Sequence, residues 1–315
     1  EVDAFESEFA AWCGARQCVG TGNGTDALEL ALRAVGVTAG SRVATVANAG
    51  MYSTAAILAC GATPVFVDVD PDTLNVTPEL LSPLSADAVV VTHLYGRMAP
   101  VEAICKAVSP IPVIEDCAQS HGAVLNGKRA GTWGVAGCFS FYPTKNLGAC
   151  GDGGAVVTSS PELAQRVRVL RQYGWTARYR AEVPGGRNSR LDELQAAVLR
   201  LKLPLLTGWN QRRRDLAALM GIDRGRSESD VVHLLVIQHA ERDRLRDFLR
   251  QRGIASDVHY PVPDYRQPAV TAVIGETLPL PQTERACAAV LTLPCFPEMT
   301  DEEAMRVREA VNEFR

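Results

Sequence analysis

Short apolar runs and amphipathic segments alternate through the first half of the chain. Between residues 20 and 170, short and mainly apolar runs occupy 65–69, 88–92 and 113–115, and a helical pattern occupies 101–108. Strands that are apolar on both faces are typical of a parallel sheet that helices cover on both sides. The pattern therefore predicts an α/β fold, with a three-layer α/β/α arrangement around a mostly parallel sheet.

The pattern changes towards the C-terminus, where helical segments dominate. A helix is predicted at 188–202, and after it helices at 209–220, 242–252 and 301–313 and a strand at 231–238. A single strand among several helices is typical of a small α+β unit. We predict a large domain at 1–207 and a small C-terminal α+β domain at 208–315.

Composition limits the class of protein. With 315 residues, 47% hydrophobic and 22% charged, the chain has an ordinary globular composition. The formal net charge of −4 argues against nucleic acid or an anionic membrane as the main partner. Nine cysteines without a Cys-x-x-Cys motif indicate reduced thiols. No apolar stretch is long enough to span a bilayer and no signal-peptide pattern is visible, so a cytoplasmic protein is expected. No histidine pair has metal-ligand spacing supported by other ligands, so no metal is predicted.

Lys145 is the first candidate for chemistry, because it lies in an uncharged, aromatic and glycine-rich segment, 137–148. Apolar flanks desolvate an ammonium group and lower its pKa, as a Schiff-base lysine requires. A lysine in a surface turn is the alternative. This segment alone leaves the two interpretations about even.

Glu115 and Asp116 end the apolar run that begins at Val113. An acid at the carboxyl end of a strand in an α/β sheet lies where ligands bind. Pyridoxal phosphate needs such a carboxylate beside its ring nitrogen, to keep the pyridinium protonated. The simpler interpretation is that both acids only cap the loop that follows.

Residues 21–26 form a glycine-containing segment that leads directly into an amphipathic helix. Asp26 and Glu29 have the spacing of a capping box, and Gly36 is the expected stop. Backbone N–H groups at such a helix start favour an anion, although a plain tight turn with a cap has the same sequence.

Taken together, these segments resemble the sugar aminotransferases of the DegT/DnrJ/EryC1/StrS group, and the resemblance covers nearly the whole chain. The strongest matching segments are 24–28 (GTDAL), 115–122 (EDCAQSHG), 139–146 (FSFYPTKN), 188–197 (NSRLDELQAA) and 259–261 (HYP). The resemblance implies the aspartate aminotransferase fold, pyridoxal 5′-phosphate as cofactor and transamination as the activity.

The resemblance also implies a role for each matching residue. Lys145 would form the Schiff base with the cofactor and carry the proton, while Asp116 would pair with the pyridinium nitrogen. The remaining cofactor-binding residues would be Gln119 at the 3′ oxygen, and Gly24, Thr25, Ser140 and Asn188 at the phosphate. Asn188 would reach the phosphate of the neighbouring subunit, which implies a homodimer with shared active sites.

Two positions depart from the family pattern. Met51 takes the place where many relatives have an aromatic residue that stacks on the cofactor ring; its polarisable sulfur can still cover a ring face. Arg187 stands where relatives often have tyrosine, which predicts an extra cation near the subunit boundary.

Further residues are predicted to line the pocket or to lie outside it. Tyr95, His259 and Tyr260 are candidate substrate-binding residues, and His93 ends a strand on the same edge. The sequence favours structural or ordinary roles for the remaining candidates: His121, His233, His239 and the arginine cluster 212–214, which is expected to be a solvated helix face.

The resemblance implies L-glutamate as the amino donor and a nucleotide-linked keto-deoxysugar as the acceptor, with C3 as the favoured position. Three alternatives stay open. A sugar dehydratase on the same scaffold carries histidine instead of the lysine, and Lys145 argues against it. An enzyme acting on amino acids alone commonly has a C-terminal arginine for the carboxylate, and the sequence offers no clear counterpart. The third alternative is a cofactor-binding regulatory protein without turnover.

Overall fold

A computed structural model describes residues 1–222, 227–275, 277 and 279–314 of the protein. The described strands are β1 (Gln17–Thr21), β2 (Arg42–Val46), β3 (Thr63–Val67), β4 (Ala88–Thr92), β5 (Val113–Asp116), β6 (Val124–Leu125), β7 (Lys128–Arg129), β8 (Ala136–Ser140), β9 (Gly154–Thr158), β10 (Trp175–Ala177), β11 (Arg180–Ala181), β12 (Leu235–Gln238) and β13 (Val290–Leu293). The described helices are α1 (Val2–Cys13), α2 (Gly24–Ala34), α3 (Tyr52–Ala59), α4 (Pro78–Leu81), α5 (Val101–Ala107), α6 (Pro161–Leu170), α7 (Glu193–Lys202), α8 (Leu206–Leu219), α9 (Arg242–Gln251), α10 (Pro268–Ile274), α11 (Pro281–Ala289) and α12 (Asp301–Glu313).

Seven strands form the central sheet, in the order β1-β9-β8-β5-β4-β2-β3. The pairs from β8 to β3 are all parallel, whereas β9 is antiparallel to both β1 and β8. The prediction of a mostly parallel sheet is confirmed. The reversal of β9 is not visible in the hydrophobic pattern, because a buried strand is apolar in either direction.

Two apolar layers cover the sheet, one on each face. Successive residues of a strand point to opposite faces, so Val90 and Ile114 pack with α2, α3 and α6, while Val89 and Val113 pack with α1, α5 and α7. This arrangement confirms the three-layer α/β/α fold.

The C-terminal part has an apolar core of its own. Residues of α8, β12, α9, β13 and α12 form this core, with Leu235, Leu249 and Leu291 fully buried in it. The strands β12 and β13 pair antiparallel. Val231 and Val236 pack instead against the core of the large sheet, so the two parts are joined by shared contacts. The boundary between residues 207 and 208 stays a prediction.

The start of α2 differs from the sequence prediction. Asn23 is the N-cap, and its side chain accepts a hydrogen bond from the Asp26 N–H at 2.8 Å. The predicted capping box between Asp26 and Glu29 is therefore wrong, because the helix already begins at Gly24. At the other end Gly36 adopts φ 100°, which confirms it as the stop.

Among the described residues, no helix combines the length and the apolar composition that a membrane crossing requires.

Candidate active site

A cavity of about 1180 Å³ lies at the carboxyl ends of β4, β5 and β8 and at the start of α2. Eight of the predicted site residues line it: Gly24, Thr25, Asp116, Gln119, Ser140, Lys145, His259 and Tyr260. Three others, Met51, Tyr95 and Asn188, do not line it. The carboxyl edge of a parallel sheet is where α/β folds bind ligands, so the position agrees with the prediction.

Lys145 lies on the loop that follows β8, where its backbone N–H donates to the Tyr142 carbonyl at 2.8 Å. Burial lowers the pKa of the Lys145 ammonium, and the negative charge of Asp116 partly opposes that shift. Among the described residues, Nζ has no hydrogen-bond or ion-pair partner. The side chain therefore offers a desolvated amine to the cavity, as the sequence predicts.

Asp116 is the last residue of β5 and is buried. Its Oδ1 accepts from the Ala118 N–H at 3.1 Å, and its Oδ2 accepts from Ser53 Oγ at 3.2 Å and from Thr92 Oγ1 at 3.4 Å. Burial raises the pKa of this carboxyl group, while the bond from Ala118 and the charge of Lys145 lower it. The result is an oriented carboxylate that can hold a proton on a basic ring nitrogen.

Gln119 connects two walls of the cavity. Its Oε1 accepts from the Tyr95 N–H at 2.5 Å, and its Nε2 donates to the Tyr260 hydroxyl at 3.2 Å. The Tyr95 hydroxyl donates to the His259 carbonyl. The sequence predicts that Tyr95 lines the pocket, but Tyr95 lies behind the cavity wall. Its side chain supports the part of the wall that His259 and Tyr260 form.

The start of α2 and the end of β8 approach each other closely. A Cβ on Gly24 would lie 2.7 Å from Ser140 Cβ, so only glycine fits there. The first N–H groups of a helix have no partner within the helix, and the helix dipole favours an anion beside them. Gly24, Thr25 and Ser140 therefore form a cradle of a size and polarity that suit a phosphate group.

Met51 and Tyr52 differ in their access to the cavity. Met51 adopts φ 73°, and its N–H donates to Asp264 Oδ1 at 3.0 Å. Tyr52, the first residue of α3, lines the cavity instead, with its ring 6.1 Å from that of Tyr260. Met51, which the sequence predicts over the cofactor, therefore does not line the cavity of its own chain, because the left-handed turn at Met51 brings the following side chain to the wall.

Asn188 is exposed outside the cavity of its own chain, where its Oδ1 accepts from Arg190 Nε at 2.9 Å. The neighbouring Arg187 forms ion pairs with Asp26, at 3.1 Å, and with Glu29 of α2. The extra cation that the sequence predicts near a subunit boundary is thus neutralised within its own chain.

Arg213 is a cavity residue that the sequence interpretation missed. It was expected on a solvated helix face, yet it is 7% exposed and its Nη1 donates to the Cys295 carbonyl at 2.6 Å. Helical periodicity cannot reveal this, because the guanidinium is buried against loops that are distant in sequence. Asn146 and His233 also line the cavity, although only the position of Asn146 beside Lys145 could have drawn attention to it.

The side chains of His93, Glu115 and Cys117 lie close enough together to hold a metal ion. The Glu115 carboxylate, however, accepts from His93 Nε2 at 2.9 Å and from the Gly131, Trp133 and Gly134 N–H groups at 2.7–2.8 Å. The Ala99 N–H donates to His93 Nδ1 at 3.1 Å, so the proton of this ring is on Nε2. The hydrogen bonds make this a structural network, and His93 does not line the cavity.

The protein combines a three-layer α/β fold with a desolvated lysine, a buried carboxylate at a strand end and a phosphate cradle. These features together are those of an aminotransferase that uses pyridoxal phosphate. The family model of the DegT/DnrJ/EryC1/StrS aminotransferase family matches residues 1–312, and the chain belongs to this family. The predicted family, fold and enzyme class are confirmed.

Named relatives cover nearly the whole chain. A dTDP-3-amino-3,4,6-trideoxy-alpha-D-glucose transaminase of Streptomyces venezuelae is 42% identical over 100% of this chain and 87% of the relative. A protein of Geobacillus stearothermophilus named as a pleiotropic regulatory protein is 40% identical over 99% of this chain and 89% of the relative.

Solved structures of similar proteins have the same fold. The structure of S. venezuelae DesV in complex with a ketimine intermediate has a TM-score of 0.94 and 41% identity, and the match covers 99% of this chain and 88% of that one. NtdA of Bacillus subtilis, solved with bound cofactor PMP, has a TM-score of 0.91 and 29% identity, with 99% and 76% covered. The predicted cofactor, pyridoxal 5′-phosphate, fits the site described here, because the unpaired lysine, the buried carboxylate and the glycine-lined cradle meet in one cavity.

Proposed function

We propose that this sugar aminotransferase moves an amino group from L-glutamate to C3 of a nucleotide-linked keto-deoxysugar. The observation that carries the proposal is the unpaired, desolvated Lys145 amine beside Asp116 in a single large cavity. The similarity to a transaminase named for a 3-amino sugar supports C3 as the position.

The residues of the cavity suggest how pyridoxal phosphate is held. Asp116 would keep a proton on the ring nitrogen, and Gln119 would bind the 3′ oxygen. Gly24, Thr25 and Ser140 would bind the phosphate, and Tyr52 would cover a ring face in place of Met51. When bound, this cofactor acts as an electron sink for charge that develops on the substrate carbon.

Lys145 has two tasks in this proposal. Its Nζ would hold the cofactor covalently at rest, and once displaced it would take a proton from the substrate carbon and return it to the cofactor. A pKa below that of an ordinary lysine favours the neutral amine, which can accept this proton. Asp116 limits the shift, so the same carboxylate influences both the ring nitrogen and the amine.

The size of the cavity favours a large substrate. A volume of about 1180 Å³ is above the range of about 300–1,000 Å³ that is usual for small-molecule sites. An enzyme acting on amino acids alone needs much less space. His259 and Tyr260 would contact the sugar or limit the access of water to it.

The exposed surface near Asn188 supports a homodimer with shared active sites. Leu194 and Leu201 of α7 are 71% and 78% exposed, and Leu205 is 53% exposed. Exposed leucines so close in sequence are typical of a contact surface. We propose that a second copy covers them and that its Asn188 completes the phosphate site. The cytoplasm as the location stays a prediction.

The visible absorption spectrum tests the proposed function. The purified protein should show the band of lysine-bound pyridoxal phosphate, L-glutamate should bleach it, and a keto-sugar nucleotide should restore it. A Lys145→Ala variant should lack the band. If no band forms after pyridoxal phosphate is added, the proposal is wrong.

The same experiment separates the alternatives. The regulatory name of the Geobacillus relative gives a specific reason to test for binding without turnover. A stable band that no amino donor changes would support that alternative. Loss of a sugar hydroxyl without amine transfer would indicate a dehydratase, against which Lys145 argues.

A further inference from the structure

His233 contributes a part of the cavity wall that the sequence does not reveal. It precedes β12, its side chain is buried, and its ring lines the cavity. Its Nδ1 lies 2.9 Å from Oδ1 of Asn146, the residue next to Lys145. Gly96 permits this position, because a Cβ there would lie 2.7 Å from the His233 backbone nitrogen.

Two amides determine which ring nitrogen of His233 carries the proton. Asn146 Nδ2 lies 3.1 Å from the Val231 carbonyl, which can only accept, and 2.8 Å from Asn210 Oδ1. Asn210 Nδ2 in turn donates to the His121 carbonyl at 2.8 Å. Because both amides are oriented by backbone carbonyls, Asn146 Oδ1 faces the imidazole, and Nδ1 of His233 must be the donor.

The other ring nitrogen is open to the cavity. A neutral imidazole has one proton, so Nε2 keeps its lone pair. Among the described residues, neither Lys145 nor any other residue donates a hydrogen bond to Nε2. Nε2 is also not fully enclosed by protein atoms. Burial lowers the pKa of His233 well below its usual range, and the charges of Lys145 and Arg213 lower it further. The ring therefore stays neutral at physiological pH.

We propose that His233 Nε2 accepts a hydrogen bond from a hydroxyl group of the sugar bound beside Lys145. The inference rests on the proposed function and deepens it, since it assigns one part of the wall to the hydroxyl-bearing side of the substrate. A lone pair attracts O–H groups and repels the oxygens of diphosphate and carboxylate groups, which have no proton to donate at neutral pH. Because His233 is hydrogen-bonded to Asn146, the residue next to Lys145, we assign the hydroxyl to the sugar ring at the reacting end rather than to the ribose of the nucleotide.

Binding calorimetry on the cofactor-loaded protein tests this assignment with four probes: dTDP, dTDP-glucose, UDP and UDP-N-acetylglucosamine. In a His233→Asn variant, the amide nitrogen takes the place of Nδ1 and can still donate to Asn146, while the acceptor at Nε2 is lost. We expect this variant to bind the free nucleoside diphosphate like the wild type, and the sugar-linked probe about 3- to 10-fold more weakly. His233→Gln places an amide near Nε2 and should recover part of the affinity.

A matched control and the contrary outcomes complete the test. His239→Asn removes a histidine outside the cavity and should bind all probes like the wild type. Equal affinity of wild type and His233→Asn for the sugar-linked probe overturns the inference alone. An equal loss for both members of a pair indicates a merely structural role and also overturns it. If the wild type binds none of the four probes, the proposed function itself is contradicted.

Discussion

Glu115 and Asp116 are neighbours at the end of β5, but they serve two different regions of the molecule. Glu115 points into the network behind the strand end, where four donors lie 2.7–2.9 Å from its carboxylate. Asp116 points into the cavity, where its donors are fewer and lie at 3.1–3.4 Å. A carboxylate whose oxygens are fully engaged supports the fold, whereas one with remaining capacity can bind a proton or a ligand.

The largest expected effect comes from Asp116→Asn. An amide cannot keep the cofactor nitrogen protonated, so we expect the rate of bleaching by L-glutamate to fall by about 100- to 1000-fold. Because the charge of Asp116 raises the pKa of Lys145, that pKa should fall further in the variant. Stopped-flow absorbance measures the first effect, and the pH dependence of lysine methylation in cofactor-free protein measures the second. An unchanged bleaching rate would contradict the role of Asp116.

Glu115→Gln should reduce the stability of the fold and leave the bleaching rate almost unchanged. In either orientation its amide nitrogen would face a buried N–H group, those of Trp133 and Gly134 or that of Gly131, so at least one buried donor loses its acceptor. We expect the free energy of unfolding to fall by about 3 kcal/mol, while the folded fraction keeps its bleaching rate within a few-fold. Urea unfolding and stopped-flow absorbance measure the two quantities. A large loss of rate without loss of stability would remove the distinction between the two acids.

Asp264 is a third buried carboxylate and extends the comparison to pH. It accepts from Thr54 Oγ1 at 2.6 Å and from the Met51 N–H at 3.0 Å, and burial raises its pKa from 3.8 to about 6. The folded state thus holds the proton of Asp264 more tightly than the unfolded state does. The protonated group therefore stabilises the folded state fully only at pH values below 3.8, the ordinary pKa of the side chain. Its contribution should decline by about 2 kcal/mol as the pH rises from about 4 to about 6.

Asp264→Asn should therefore flatten the stability profile between pH 4 and 6 in urea unfolding series. The exposed Asp72→Asn is the matched control and should keep the wild-type slope. A wild-type slope in Asp264→Asn would show that another group causes the pH dependence.

The smallest expected effect concerns a single donor to Asp116. The hydroxyl of Ser53 lowers the pKa of this carboxyl group, so Ser53→Ala should raise it and reduce the bleaching rate by about 3- to 10-fold. Thr92→Val removes a longer contact of 3.4 Å and should have the weaker effect. A larger loss of rate in Thr92→Val than in Ser53→Ala would show that the length of a hydrogen bond to Asp116 does not predict its effect on the bleaching rate.

The sequence was sufficient for the elements whose apolar pattern is uninterrupted. The strand at 88–92 and the helix at 301–313 agree with β4 and α12. The helix predicted from residue 188 begins only at Glu193, because Asn188 pairs with Gln172 in a β-bridge and Ser189 binds the Gly22 N–H. Such tertiary contacts override local helical propensity.

The candidate site shows the same division. Lys145, Asp116 and the start of α2 follow from local motifs, because each lies at the end of a strand or within five residues after it. Tyr52 and His233 could not be assigned, because a left-handed turn and a network of amides determine where their side chains point. Their positions depend on segments that meet only in the folded chain.

The reversed strand β9 has a consequence for the entropy of forming the site. Because β8 and β9 are antiparallel neighbours, residues 141–153 form a closed loop between adjacent strands, with the Phe141 N–H donating to the Gly153 carbonyl at 2.7 Å. A parallel connection would require a crossover through a helix, and the entropy lost on closing a loop grows with its length. Lys145 is thus held in a loop whose two ends are fixed by the sheet itself. Fixing the loop ends removes part of the conformational freedom that is lost when the amine is placed near Asp116.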